Sequence, residues 1–254
     1  MVGTLDGTVA LVTGAGQGVG RGIALALAAE GAAVAVTGRT LAKVDAVAAE
    51  IHARGGTALA LGCDVAHRDQ VDATVARVAA ELGGVDVLVN NAQSVTLGPL
   101  LTVAASDLET VWGTGFLGTL SCMQAAFPHL AASGRGCVVN LGSGSSLRAD
   151  QKGYGLYAAV KEAVRSLTRT AAVEWGEHGI RVNAVVPLAL SPGLERWATY
   201  RPEEFAAFAH TVPLGRVGDC EADIGRAVAF LASPAAGYVT GSTLMLDGGQ
   251  SFLR

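Results

Sequence analysis

The sequence predicts one α/β domain built on a doubly wound, parallel, seven-stranded sheet. Three observations predict it. Short apolar runs alternate with longer segments of helical periodicity from Thr8 to about Leu246. The runs are continuously apolar, as strands covered on both faces are. Composition agrees, since 50% of the 254 residues are hydrophobic, 16% are charged and 34 are glycine, which suits alanine-rich helices packed closely on a buried sheet.

Taken in order, the expected strands are Val9–Val12, Ala33–Thr37, Ala58–Gly62, Val87–Asn90, Cys137–Leu141, Ile180–Val186 and Thr243–Leu246. A helix is expected to begin near Gly18. Leu41, Val44, Ala48 and Ile51 form a helical stripe, and Val71, Val75, Val78 and Leu82 form another; both read as core. Long helices are expected over Ser106–Ala131 and Gly155–Trp175. The segment Leu188–Gly215 breaks the pattern, with Pro192, Pro202 and Pro213 and no clear period. It reads as a long irregular loop, and such loops in compact domains are usually functional. With no linker, low-complexity tract or internal repeat, residues 1–254 read as a single domain with a substrate-binding loop at 188–215.

The bulk properties exclude several function classes. A net charge of −4 without a basic cluster argues against a nucleic-acid surface. No apolar stretch approaches the roughly 20 residues of a membrane span, and Met1-Val-Gly-Thr-Leu-Asp6 lacks the basic region and apolar core of a signal peptide. Cys63, Cys122, Cys137 and Cys220 show no Cys-x-x-Cys spacing, so reduced thiols are expected; the five histidines have no metal-site spacing, so no metal is expected. A cytoplasmic protein acting on small molecules is the expectation.

Two local patterns carry chemistry. In Thr13-Gly-Ala-Gly-Gln-Gly-Val-Gly20, which follows an apolar run, Gly14 allows a tight strand-to-helix turn. Gly18 lets backbone approach a pyrophosphate and Gly20 permits close helix–strand packing. The N–H groups and positive dipole end of the following helix would face the phosphates. In Tyr157-Ala-Ala-Val-Lys161, helical spacing puts a phenol and an ammonium on one face. The positive charge is expected to lower the tyrosine pKa toward that of a working general acid.

Together with Ser143 upstream, these motifs resemble the short-chain dehydrogenase/reductase family, and the resemblance runs the length of the chain. It implies a Rossmann-type fold, a nicotinamide cofactor and interconversion of a ketone, or a 3-oxoacyl-type carbonyl, with a secondary alcohol. Tyr157 would be the general acid/base and Lys161 its electrostatic partner and a ribose ligand. Ser143 would hold the substrate oxygen, with Ser145 and Ser146 as competitors and Tyr154 as a competing phenol lacking a lysine partner. Asp64, with Val65, would meet the adenine edge; Asn91 and Ala92 would approach the cofactor, while Asn90 and Asn183 brace the sheet. Gln17, Val19 and Pro187 complete the implied cofactor contacts, and Gln93, Leu188, Leu194 and Trp197 the implied substrate contacts. Gly38-Arg39 stands where NAD-specific sites place an acid, so NADP(H) is expected before NAD(H), although Gln17 replaces the basic residue often found in the turn.

The chain departs from the family at three places. Gly115 stands where an asparagine is expected; glycine keeps the backbone carbonyl and permits a kink, so proton relay is expected to survive. Gln93 replaces a glycine, and Leu188 follows Pro187 where a second glycine is usual. These departures support an alternative, a cofactor-binding homologue with vestigial chemistry acting as a regulatory or scaffold subunit. An acyl-carrier partner is not favoured, because Thr170-Ala-Ala-Val-Glu174 lacks an arginine. A homotetramer is expected from family habit, from the small and apolar residues on several faces of the two long helices, and from the apolar end of the chain.

Overall fold

The computed structural model describes residues 3–148 and 152–251. The apolar chain end at Phe252 and Leu253 lies outside the described residues. Strands β1 (Val9–Thr13), β2 (Ala33–Gly38), β3 (Thr57–Gly62), β4 (Val87–Asn90), β5 (Cys137–Leu141), β6 (Arg181–Pro187) and β7 (Thr243–Leu246) form one sheet. Its order is β3-β2-β1-β4-β5-β6-β7, and every pairing is parallel. The chain winds outward from β1 in one direction, returns, and winds the other way from β4. That reversal opens a crevice beyond the C-terminal ends of β1 and β4, where ligands of such sheets bind.

Strand residues alternate between two cores. Ala10, Val12, Val34, Val36, Val87 and Val89 face the core packed by α1 (Gly18–Ala29), α2 (Leu41–Ala53) and α9 (Arg226–Ala232). Leu11, Ala35, Leu88 and Val138 face the core packed by α3 (Arg68–Leu82), α5 (Gly118–Ser133) and α6 (Gly155–Glu174). Both faces are thus dry, which is why the strands read as continuous apolar runs. Leu41 departs from its expected place: at the first turn of α2 it is 51% exposed, whereas Val44, Ala48 and Ile51 are buried.

Two expectations need correction. The long helix before β5 is interrupted: α4 (Ala105–Trp112) passes through a π-turn at Gly113–Leu117 before α5 begins. The segment 188–215 is largely helical, with α7 (Pro192–Tyr200) and α8 (Pro202–His210). Each begins with proline at its first position, where the ring's fixed φ favours a helix and its missing N–H is not needed. Prolines that read as helix breakers are helix starters here. Trp197 packs on Phe205 and Phe208, with ring centroids 5.5 and 5.2 Å apart, tying the two helices together.

Candidate functional site

A cleft of about 520 Å³ runs across the C-terminal ends of β3, β2, β1, β4, β5 and β6. Cys63, Asp64 and Val65 lie beyond β3, and Gly38, Arg39 and Thr40 at the end of β2. Gly14 to Val19 follow β1, Asn91 to Val95 follow β4, Ser143 follows β5, and Pro187 and Leu188 end β6. Tyr157 and Lys161 of α6, Thr114 of the π-turn and Leu194 of α7 complete the wall. Trp197 and Ser145 do not line it. Trp197 is held in the aromatic cluster, and the Ser145 backbone N–H donates to Ser143 Oγ at 3.2 Å.

The glycine-rich turn is built as the spacing demands. Gly14 has φ +64°, and a Cβ there would sit 2.9 Å from Ala92 Cα and from Asn91 Nδ2. A Cβ at Gly20 would collide with Asn91 Nδ2 and the Gly14 carbonyl. The turn is bolted to the end of β4. Asn91 Nδ2 donates to the carbonyls of Thr13 and Gly14 at 3.0 Å each, while Thr13 Oγ1 accepts from the N–H of Asn91 at 3.0 Å and of Ala92 at 3.1 Å. The first turn of α1 carries no acidic residue and no side-chain cap, so its N–H groups are presented to an anion. A dinucleotide pyrophosphate fits this cradle.

Beyond the turn, the end of β2 is cationic. Lys43 of α2, which the sequence reading passed over, lines the cleft and donates to Gln17 Oε1 at 2.6 Å. Its signal was its basic side chain in the first turn of the helix that follows Arg39. Lys43 thus brings a basic side chain to the turn from α2. Asp64 turns one carboxylate oxygen to the Ala66 N–H at 3.1 Å, and its own N–H donates to Gln70 Oε1 at 2.9 Å. Asn90, Asn140 and Thr168 form a buried chain: Asn90 Nδ2 donates to Asn140 Oδ1 at 2.8 Å, and Asn140 Nδ2 to Thr168 Oγ1 at 3.0 Å. This chain locks α6 to β4 and β5 and fixes where Tyr157 and Lys161 project. Asn183 braces the far side, donating to the Val239 carbonyl at 2.8 Å and accepting from the Ser242 N–H at 3.1 Å.

The electrostatics of the tyrosine–lysine pair differ from expectation. Burial pushes the Tyr157 phenol up, a hydrogen bond with Ser143 pulls it down, and Tyr154 pushes it up. Lys161 is buried, its Nζ donates to the Leu141 carbonyl at 2.7 Å, and it lies 5.7 Å from the centre of the Tyr157 ring. Four-residue spacing therefore sets the ammonium over the ring, tethered to the end of β5. Burial alone lowers its pKa from 10.5 to about 8. Gly115 and Gln93 are also coupled. A Cβ at Gly115 would collide with Gln93 Oε1 and Val160 Cγ1, and would lie 2.8 Å from Gln93 Nε2. Among the described residues no group of His, Cys, Asp and Glu could hold a metal ion, and no helix is long and apolar enough to cross a membrane.

A parallel sheet with a phosphate-ready turn at its reversal point, and a serine, tyrosine and lysine in the same cleft, defines a dinucleotide-binding oxidoreductase. The family profile described as enoyl-(acyl carrier protein) reductase matches residues 14–251. The 12alpha-hydroxysteroid dehydrogenase of a Clostridium species is 40% identical, over 98% of each chain. The crystal structure of a short-chain type dehydrogenase/reductase from Mycobacterium marinum superposes with TM-score 0.87 at 36% identity, covering 97% of this chain and 96% of that one. A blue fluorescent protein from a metagenomic library, solved in complex with NADPH, gives TM-score 0.88 at 35% identity, covering 98% of this chain and 100% of that one. The chain belongs to the short-chain dehydrogenases/reductases, NAD(P)-dependent oxidoreductases.

Proposed function

We propose that the protein is an NADP(H)-dependent carbonyl reductase or secondary-alcohol dehydrogenase acting on an apolar small molecule in the cytoplasm. The observation that carries this reading is the convergence of Ser143, Tyr157 and Lys161 on the cleft that holds the glycine-rich turn. When bound, the nicotinamide supplies or accepts the hydride. Tyr157 passes a proton to the oxygen of the carbonyl being reduced, and takes one back in oxidation. Ser143 donates a hydrogen bond to that oxygen as its charge develops. Lys161 orients the cofactor's sugar and supplies positive charge beneath the phenol. Gln93, Leu188 and Leu194 wall the substrate end, with helices 192–200 and 202–210 as a lid.

Arg39 and Lys43 support the preference for NADP(H): both line the adenosine end, and Gly38 supplies no acid to repel a 2′-phosphate. The NADPH complex of the metagenomic blue fluorescent protein accords with it. Apolar side chains left in the open, Val173 on α6 at 83% exposure among them, support a homotetramer.

A panel of apolar ketones, followed by loss of reduced-nicotinamide absorbance, tests the function. Turnover with NADPH is expected, with nearly all of it lost in Tyr157→Phe while NADPH affinity stays near wild type. Tight NADPH binding without turnover on any carbonyl would replace this reading with a vestigial, cofactor-binding subunit.

A further inference from the structure

Leu188 borders two cavities. On one side lies the cleft that holds Ser143, Tyr157 and Lys161; on the other is a second cavity, also about 520 Å³, beyond the end of β7. Pro213, Leu214, Met245 and Leu246 give the second cavity an apolar wall. The charged groups on its lining are satisfied within the protein. Arg216 and Asp223 pair with each other, and the Asp247 carboxylate accepts from the Gly249 N–H at 3.0 Å and the Ser251 N–H at 2.7 Å. Such a cavity suits an apolar group.

Strand geometry says where the Leu188 side chain points. Val185 and Ala189 face the core under α1 and α9, and Leu244 and Leu246 pack against the same core. The two strands stay paired through Leu188, whose N–H donates to the Leu246 carbonyl at 2.9 Å. Because side chains alternate along a strand, Leu188 and Met245 lie on the opposite face, the side of α6 with Tyr157 and Lys161. The turn from Asp247 to Ser251 closes the same flank. Its Gly248 and Gly249 line the second cavity, and a Cβ at Gly144, the residue after Ser143, would lie 2.7 Å from Ser251 Oγ. The second cavity therefore stands against the segment that carries Ser143.

We propose that Leu188 sets the size of substrate the protein accepts: its side chain divides the reaction cleft from an apolar side chamber, and so limits the hydrocarbon bulk admitted beside the carbonyl. Trimming it joins the two spaces. The inference rests on the reductase reading for the choice of ligand.

The test is a series of straight-chain methyl ketones, from butanone to undecanone, titrated onto the NADPH complex by calorimetry and also assayed for turnover. Each methylene moved from water into an apolar space brings up to about fourfold in affinity. In the wild type that gain per carbon is expected to stop where the chain meets Leu188. In Leu188→Ala it should continue past that length, so that the ratio of long-ketone to short-ketone affinity rises roughly tenfold, the effect of about two methylenes. Ratios taken within one protein cancel any general loss from trimming a cleft residue. Leu188→Val removes less, should show a smaller rise, and decides the matter should Leu188→Ala not fold. Met245 lines the chamber and not the cleft, so adding Met245→Trp to Leu188→Ala refills the chamber and should abolish the rise. An unchanged ratio, ketones that bind neither protein, or a rise that survives Met245→Trp would overturn the proposal. Binding with the expected profile but no turnover in any of the proteins would sink the reductase reading and leave the partition standing.

Discussion

Lys161→Met should make the stability of the cofactor-free protein respond differently to pH, and the window follows from the structure. Burial takes the Lys161 pKa from 10.5 to about 8. At about 1.4 kcal/mol for each pH unit, that displacement costs the folded state about 3 kcal/mol while the unfolded lysine is charged. Between pH 8 and 10.5 the unfolded chain binds a proton that the folded chain does not, so wild-type stability rises with pH through this window. The cost is fully present below about pH 8 and gone above 10.5. Methionine has no such titration. At neutral pH the variant escapes the cost but leaves the Leu141 carbonyl without its donor, a loss of about 1–3 kcal/mol, so the two nearly offset there. The pH dependence is the cleaner readout. Denaturant unfolding of both proteins at pH 7 and pH 10, at one protein concentration, should show wild type gaining about 2–3 kcal/mol relative to the variant. A difference that stays flat with pH would refute a buried, desolvated ammonium at this position.

Arg39→Ala should weaken NADPH binding by roughly one to two powers of ten and leave NADH nearly unchanged, with Lys43→Ala acting the same way more weakly; titration of reduced-nicotinamide fluorescence checks this, and equal losses for both cofactors would contradict the assignment. Gly115→Asn should lower stability by about 1–3 kcal/mol and reduce turnover, because Gln93 and Val160 already fill the space, and Gln93→Ala should restore much of the loss. A fully active, fully stable Gly115→Asn protein would show that the two sites are not coupled. Light scattering at micromolar concentration is expected to give the mass of a tetramer, and a monomer mass would reject the assembly.

What could be read in the sequence was what depends on local pattern. Strand positions were legible to within a residue at either end because both faces of the sheet are covered, so the runs stay mainly apolar, with Asn140 and Asn183 as hydrogen-bonded exceptions inside β5 and β6. Helices 192–200 and 202–210 were not, since two turns of helix give little periodicity and their prolines read as breaks. Gly14, Gly18 and Gly20 were legible because backbone geometry leaves few alternatives. Lys43 was missed because it reaches the turn from a different element. Gln93 and Gly115 were each visible as departures, but nothing short of three dimensions could reveal that one fills the space left by the other. Helical spacing set Tyr157 and Lys161 on one face; it could not say that a strand-end carbonyl draws the ammonium across the ring.

The bolt between Thr13 and Asn91 sets when the cofactor's seat takes shape. Four hydrogen bonds donated by Asn91 and Ala92, in the loop after β4, hold the turn through protein groups alone. The nucleotide therefore docks onto a rigid template and forfeits little chain entropy on arrival. Capture by this template should be quick. Asn91→Ala would convert this template into a loop that each incoming nucleotide must order for itself. Such a protein would bind with a more unfavourable entropy.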